Sequence, residues 1–521
     1  MLKDKKNKKV LVGDKDILSS FHESNVSHEE RKKLGQFYTH QTLVNYIFEN
    51  IPVNENSKIL DPSVGAGAFL ITALNFNNKK AENIYGIDID NAALKLCIEN
   101  VEDNVEDVKN DNFICSNTLN YELWELFPKI YNEGGFDIII GNPPYQHLVS
   151  KKDFNPENSL YKPVINGVTN SATLMIAKSI DFLKEDGYLG FVLPKGILRV
   201  DSFLNLRKFI LNNLTIMNIV DLGHYFKDVR GDQIILILKK TKPINFDNKI
   251  SVKILSNNKD FIDSTDYFLT QKELFKYDFF HIYKEKSFNE LADKLFKITE
   301  TLETITEGNI FRGLNLSSKS PAISKEYNEV LRVVYRGDSL KKFGIKYPLY
   351  LDLNKFKEDK SKFEKLKNEK IILQNLCSKE AGITATISSS EEFNIDTVTN
   401  IITDKIDLKF LLGIINSNFA SFFLLHLVFL SSNFTMHTDK KYIGKLPIVI
   451  PNKNIVNKVI KIVEQILKLN GEKNNDYKKL YLQLNNLVYS MYNLSNEEIE
   501  IIENCLSKSQ SQNQYHGTKN E

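Results

Sequence analysis

Asn142-Pro143-Pro144-Tyr145 is the stretch of this sequence best suited to chemistry. It follows three isoleucines in FDIIIGNPPYQ, residues 136–146, which read as a buried strand. Proline fixes φ and carries no N–H, so Pro143 and Pro144 make a stiff loop whose carbonyls are free to accept. The Asn142 side-chain carbonyl and the Pro143 backbone carbonyl offer two acceptors for one amino group. An amine conjugated with a ring is a poor nucleophile. Two acceptors gripping its hydrogens favour a more tetrahedral nitrogen with an available lone pair. Tyr145 offers a flat face on which a ring can stack. None of these residues has to titrate, so catalysis of this kind is positioning plus electrostatics in a dry pocket. A proline-rich turn after a strand would account for the prolines but not for the whole constellation.

A second constellation lies upstream. The strand KIL runs into DPSVGAGAFL, residues 61–70, and a helix begins near Ala68. Gly65 and Gly67 permit a tight turn and a close approach to a ligand. The next strand, NIYGIDID, ends in Asp88, roughly twenty residues on, where a carboxylate can accept from both hydroxyls of a ribose. Asp90 reads as the cap of the following helix NAALKL. Leu70 stands where the third glycine of G-x-G-x-x-G would be, and no phosphate-binding P-loop lysine is present. A nucleoside without phosphates therefore fits better than NAD, which suggests S-adenosylmethionine.

The elements that must position these loops alternate. KILDPS (58–63), NIYGIDID (83–90), NFICSN (112–117), FDIIIGN (136–142) and GYLGFVLP (187–194) read as strands. TLVNYIFENI, AALKLCIENV, SATLMIAKSIDFLK and FLNLRKFILNNL read as helices between them. Such alternation gives an α/β fold with a parallel sheet covered by helices. MNIVDLG (217–223) and DQIILILKK (232–240) read as a hairpin that adds an antiparallel last strand. After about 244 the alternation fades into short strands and Lys-rich pieces. Residues 452–505 look helical, with a capping box from Ser495 to Glu498 opening the last helix. The expected division is a basic segment over 1–30, an α/β domain over 31–243, a mixed α+β domain over 244–451, a helical segment over 452–505 and a polar, disordered tail over 506–521.

In KLGQFYTH (33–40), DPSVGAGAFL, GIDID and GNPPYQ, in that order over about 110 residues, the chain resembles the class I, S-adenosylmethionine-dependent DNA adenine-N6 methyltransferases whose target-recognition domain is C-terminal. The likeness of the catalytic half extends to about 240. It implies a Rossmann-like sheet and methyl transfer to N6 of an adenine turned out of double-stranded DNA, since the amine is buried in the stack. It also implies the modification role in a restriction–modification system. Tyr38 and Thr39 would contact the methionine end of the cofactor. Asp61, Gly65, Gly67, Asp88, Ile89, Asn117 and Asn142 would line the rest of its site. Asn142, Pro143 and Tyr145 would hold the base, and Phe226, in LGHYFKDVRGDQ (222–233), would stack on its other face. The sequence departs from the family at His40, where proline is usual, and at Asn117, where aspartate is usual. Asparagine can still accept through its amide oxygen.

The second half offers no catalytic constellation. The resemblance implies a reader of DNA sequence, with Arg312, Arg336, Lys440 and Lys441 as candidate contacts to phosphates or guanine edges. Composition fits this outline without announcing it. The net charge is +2, with 42% hydrophobic and 26% charged residues. Cys97, Cys115, Cys377 and Cys505 form no CxxC pair, which argues against a zinc site or a disulfide framework, so no metal and a reducing cytoplasm are expected. The uncharged run 410–430 is long enough to span a bilayer but carries Gly413, Asn416, Ser417, Asn418, Ser421 and His426, and reads as a buried helix. A monomer is expected. A nuclease domain would not fit in the roughly 30 residues before the α/β region, so any endonuclease is expected on a separate chain. The alternatives are cytosine-N4 methylation, for which serine in place of Asn142 is commoner, and protein-glutamine N5 methylation, whose enzymes share the NPPY motif but are smaller.

Overall fold

The computed structural model describes residues 39–511 apart from 149–153, 156–157, 168, 227–230, 256–260, 262–263, 277, 284–286, 318, 356–359 and 433–435. The chain forms two compact units, Met1–His281 and Ile282–Glu521.

The first unit is built on nine strands. These are β1 (Ile59–Asp61), β2 (Ile84–Asp88), β3 (Phe113–Cys115), β4 (Phe136–Gly141), β5 (Leu183–Pro194), β6 (Thr215–Gly223), β7 (Gln233–Lys239), β8 (Lys249–Leu255) and β9 (Ser264–Thr270). Their order across the sheet is β9-β8-β6-β7-β5-β4-β1-β2-β3. Strands β1 to β5 pair in parallel. Strand β7 runs antiparallel to both neighbours, β5 and β6. The hairpin expected from MNIVDLG and DQIILILKK is therefore present. It is not the end of the sheet, because β8 pairs in parallel with β6 and β9 pairs antiparallel with β8. Val252 and Ile250 of β8 are fully buried, so this part of the chain belongs to the first core. The first compact unit accordingly ends at His281, beyond the division at 243 that the fading alternation suggested.

Two local features place the site. Helix α1 (Gln41–Glu49) buries Leu43, Val44, Ile47 and Phe48, the face expected of helical spacing. It lies close on the sheet, because a Cβ at Gly190 of β5 would meet Ile47 Cγ2 at 2.5 Å. Thr39, ahead of α1, meets Asn142 just past the carboxyl end of β4, where open α/β sheets carry their ligands. His40 caps α1, its Nδ1 accepting from Thr42 N, so histidine serves the helix start in place of proline. The loops after β1 and β2 lead into α2 (Ala68–Phe76) and α3 (Asn91–Glu102). Helices α4 (Ser171–Phe182) and α5 (Leu204–Asn213) follow. Strand β5 begins at Leu183, where the helix was expected to continue to Lys184.

The second unit has a four-stranded sheet of β10 (Ile310–Arg312), β11 (Lys370–Gln374), β12 (Ala385–Ser388) and β13 (Val398–Ile401), in the order β10-β13-β11-β12. A second sheet pairs short strands at 323–324, 332–335, 349–351 and 393–394. The uncharged run folds as α6 (Leu408–Ile415) and α7 (Asn418–Phe422) with a π-helical turn over Phe423–Val428. Among the described residues no single helix is long and apolar enough to cross a membrane, and this pair bends by 55°. Its side chains are buried: Phe410, Leu412, Phe419, Phe422 and Leu427 are all at 0% exposure. Helices α8 (Lys453–Lys468), α9 (Asn475–Met491) and α10 (Asn496–Ser511) end the described chain. The capping box holds: Ser495 N donates to Glu498 Oε2 at 2.8 Å, and Glu498 N to Ser495 Oγ at 3.2 Å. Helix α10 carries the chain six residues, 506–511, into the segment expected to be disordered. The segments 1–30 and 512–521 lie outside the described residues.

Candidate active site

The loop between β1 and α2 turns through Gly65 (φ +53°) and Gly67 (φ +90°), the left-handed region that favours glycine. At Gly67 a Cβ would also strike Cys97 Sγ at 2.8 Å. At Gly65 a Cβ would meet nothing within 4 Å, so the turn opens onto space. Ser63 Oγ in the same loop is buried and has no hydrogen-bond partner. An orphaned hydroxyl and an open turn are what a small polar ligand would complete.

Asp88 ends β2 and is buried. Its Oδ2 accepts from Gly65 N at 2.7 Å and its Oδ1 from Asp90 N at 2.9 Å. The carboxylate thus holds the glycine turn in place and keeps lone pairs for a further donor. Burial raises its pKa, against the backbone N–H groups of Asp90, Gly65 and Ile89, which favour the ionised form. Asp90 caps α3 through Ala92 N, as expected. Beside Asp88, Ile89 is 66% exposed, an apolar side chain standing at the rim. Asn117 sits after β3, where its amide oxygen accepts from Leu119 N at 3.1 Å and caps a short 3-10 turn.

Asp61 ends β1 beneath this loop. Burial pushes its carboxyl up to about 8, partly opposed by the bond from Ser63 N and reinforced by Asp88. The strand beside it must be glycine at 141, since a Cβ there would lie 2.7 Å from Asp61 Oδ1. Between the unfolded value of about 4 and about 8, the folded state binds more protons than the unfolded one, so Asp61 costs stability as pH rises through that window. Asp61→Asn keeps the acceptor for Ser63 and removes the charge. It is expected to melt above the wild type at pH 8, with the difference vanishing towards pH 4. Thermal unfolding followed across that range checks this; a difference that grows on acidification would contradict it.

Strand β4 delivers Asn142 to the same end of the sheet. Asn142 Nδ2 donates to Thr39 Oγ1 at 3.1 Å. The Tyr145 hydroxyl lies 2.5 Å from Asn142 Oδ1 and 3.0 Å from the Val192 carbonyl, so its single proton goes to one or the other. Burial holds the Tyr145 phenol far above its ordinary value, and the group stays neutral. Among the described residues nothing donates to the Pro143 carbonyl. The loop is braced from α4, a support that the sequence reading did not find. Ser171 Oγ donates to the Pro144 carbonyl at 2.5 Å, Gln146 N donates to Ser171 Oγ at 2.9 Å, and Asn170 Nδ2 reaches the Tyr145 carbonyl at 3.2 Å. Asn170 and Ser171 read in sequence only as a helix start.

Thr39 is thus joined to Asn142, while Tyr38 lies outside the described residues, as do 33–37. His40 meets the Tyr225 ring edge-on at 6.2 Å, and Tyr225 meets Phe226 at 5.5 Å. Phe226 is half-buried and packs partly on the core of the sheet. In the second unit the four basic candidates all have partners. Arg312 grips Asp439 with Nε and one terminal nitrogen, at 2.7 and 2.9 Å. Arg336 does the same to Asp338. Lys440 pairs with Glu303 at 3.2 Å, and the Lys441 ammonium lies 4.9 Å from the Tyr442 ring centre. Arg312 reaches His437 and Asp439, the residue before Lys440; Arg336 is held in a separate pair.

Comparison with known proteins supplies the wider setting. Residues 13–320 match the family of N-6 DNA methylases, and 332–448 match a TaqI-like C-terminal specificity domain. A putative type II restriction enzyme and methyltransferase of Methanocaldococcus jannaschii is 28% identical over 392 residues, covering 71% of this chain and 32% of that protein. A release factor glutamine methyltransferase of Fusobacterium nucleatum is 33% identical over 204 residues, covering 37% of this chain and 50% of that protein. The type IIL restriction-modification enzyme MmeI, solved in complex with DNA, superposes with a TM-score of 0.59 at 11% identity, over 94% of this chain and 81% of that one. At that identity the likeness is one of fold. The chain spans 32% to 60% of the length of the curated relatives it matches.

Proposed function

Because the chain belongs to the N-6 DNA methylase family, we propose that it is a site-specific DNA methyltransferase acting on N6 of an adenine turned out of double-stranded DNA, with S-adenosylmethionine as methyl donor. The observation that carries this reading is the Asn142 clamp. One end of its amide is anchored on Thr39, and its oxygen faces the Tyr145 hydroxyl. When Tyr145 donates to Val192, the Asn142 oxygen and the Pro143 carbonyl are two acceptors for one exocyclic amino group. They draw its hydrogens and leave the nitrogen lone pair available. The methylated amine is strongly acidic and loses one proton to water, while the pair only hydrogen-bonds its hydrogens and is never itself protonated. Tyr145 and Phe226 supply ring faces for the base.

The unpartnered Ser63 hydroxyl and the open turn at Gly65 fit a nucleoside cofactor. Asp88 would accept from its ribose, Ile89 would cover its adenine, Asn117 would meet the adenine edge, and Asp61, Gly67, Thr39 and Tyr38 would enclose the rest. When bound, S-adenosylmethionine supplies a methyl group activated on a positively charged sulfur. Ile89→Ala is expected to weaken cofactor binding about tenfold, in line with the loss of roughly 1–2 kcal/mol of apolar contact. It should leave the melting temperature unchanged, since the side chain is exposed. Calorimetric titration with the cofactor checks it, and an unchanged affinity would remove Ile89 from the site.

The second unit would read the DNA sequence, with Arg312, Arg336, Lys440 and Lys441 as candidate contacts. The ion pairs they make would have to be shared with phosphates or base edges. The chain would act as the modification component of a restriction–modification system, as a cytoplasmic monomer. The 33% identity to a release factor glutamine methyltransferase favours one second reading, N5 methylation of a protein glutamine, because an amide needs the same grip. Radiolabelled methyl transfer decides between them. Duplex DNA and a glutamine-bearing release-factor peptide are offered in parallel, and the DNA is digested to nucleosides. N6-methyladenine supports the proposal, N4-methylcytosine or labelled peptide overturns it.

A further inference from the structure

We infer that Gln233 is a positioning residue that sets the aromatic wall of the base pocket. It is the first residue of β7 and is 1% exposed. Its Oε1 accepts from both Tyr225 N, at 3.2 Å, and Phe226 N, at 3.4 Å. Its Nε2 donates to the Gly231 carbonyl. One side-chain amide therefore ties the stretch that leaves β6 to the stretch that enters β7.

The tie is needed because the strand ladder stops there. The last register pair of β6 and β7 is Gly223 with Gln233. Tyr225 and Phe226 lie beyond that last pair, and their N–H groups are taken by the Gln233 side chain. A buried amide is costly unless its hydrogen bonds are made. Here both ends of the amide are used, so its energy goes into fixing the path of 225–226. A hydrophobic residue of the same size would fill the space and leave three backbone groups without this partner. The neighbouring strand ends are laced in the same way. Asp221 Oδ1 accepts from Gly223 N at 3.0 Å, its Oδ2 takes the Lys195 ammonium at 2.6 Å, and Lys195 N donates to the Asp232 carbonyl at 2.8 Å.

What is held matters for the reaction. Tyr225 touches His40, next to Thr39, and Thr39 holds Asn142. Phe226 rides on Tyr225. Gln233 thus acts on the clamp and on the wall through described contacts without itself reaching the pocket. This role rests on the proposed reaction with an extruded adenine. An extruded base that loses its wall falls back into the duplex more readily, and that loss is smaller where the base has no partner to rejoin.

The experiment compares methyl-transfer rates of the full chain on two duplexes that carry its target site. In one the target adenine is paired with thymine; in the other it faces an abasic position. For Gln233→Ala the expected result is a kcat lower by roughly 10- to 100-fold on the paired duplex. Most of that loss should be recovered on the abasic one, with cofactor KM within about twofold of the wild type. Gln233→Glu keeps the acceptor for Tyr225 and Phe226 but sets a carboxyl oxygen against the Gly231 carbonyl, so it should lie between, and it decides the matter if the alanine variant does not fold. A wild-type rate for both variants, or an equal loss on both duplexes, overturns the role of Gln233 while leaving the reaction standing. A wild-type chain that methylates neither duplex overturns the base-extrusion reading and this role with it.

Discussion

Asn142→Ala should lower the rate of methyl transfer by roughly 10²–10³-fold, the usual consequence of removing one aligned polar group from a preorganised site. The loss follows from what the side chain does. Its Nδ2 is spent on Thr39 Oγ1, and this fixes where Oδ1 points. Without it the Pro143 carbonyl is left to hold the amino group alone, and a single acceptor cannot bring the nitrogen to the geometry that frees its lone pair. The fold should persist, because Asn142 is half-buried at a loop and the loop's backbone is braced independently by Asn170 and Ser171. Cofactor affinity should change far less than kcat. Single-turnover kinetics beside thermal unfolding and a cofactor titration separate these effects. A fall in affinity that matches the fall in rate would place Asn142 in cofactor binding alone.

Tyr145 should show two effects of different size. Tyr145→Ala removes the ring, and the base loses a stacking face worth roughly 1–3 kcal/mol, so kcat/KM should fall about 10- to 100-fold. Tyr145→Phe keeps the ring and loses the hydroxyl shared between Asn142 and the Val192 carbonyl. A hydrogen bond of this kind contributes about 1 kcal/mol, so the expected loss is only about fivefold. If phenylalanine were as damaging as alanine, the hydroxyl rather than the ring would carry the function. Steady-state kinetics on both variants settle the order.

Much of the catalytic half was legible because its elements announce themselves locally. Ile138, Ile139 and Ile140 form a run apolar enough to be read as a buried strand, and Gly65 and Gly67 mark a turn that other residues could not make. The placement of Asp88 and Asp90, one under the glycine loop and one on the helix cap, followed from their position at the end of a strand. The supports were not legible. Ser171 braces the Asn142 loop at Pro144 from 27 positions away, and Gln233 ties a loop that it follows. Side-chain bonds across such distances leave no periodicity. The strands Lys249–Leu255 and Ser264–Thr270 were missed as members of the first sheet because they follow a helix-free hairpin, where alternation gives no cue. In the second unit Arg312 was legible as a charge but not as a member of an ion pair, since Asp439 lies 127 positions from it.

The measurement that tests the account most directly is modification-sensitive single-molecule sequencing of genomic DNA from a methylase-free host that expresses the full chain, beside the same host expressing Asn142→Ala. The account predicts N6-methyladenine at one recurring sequence with the wild type and none with the variant, at equal amounts of folded protein. Genomic DNA without any modified base, from a chain that folds and binds S-adenosylmethionine, would contradict it.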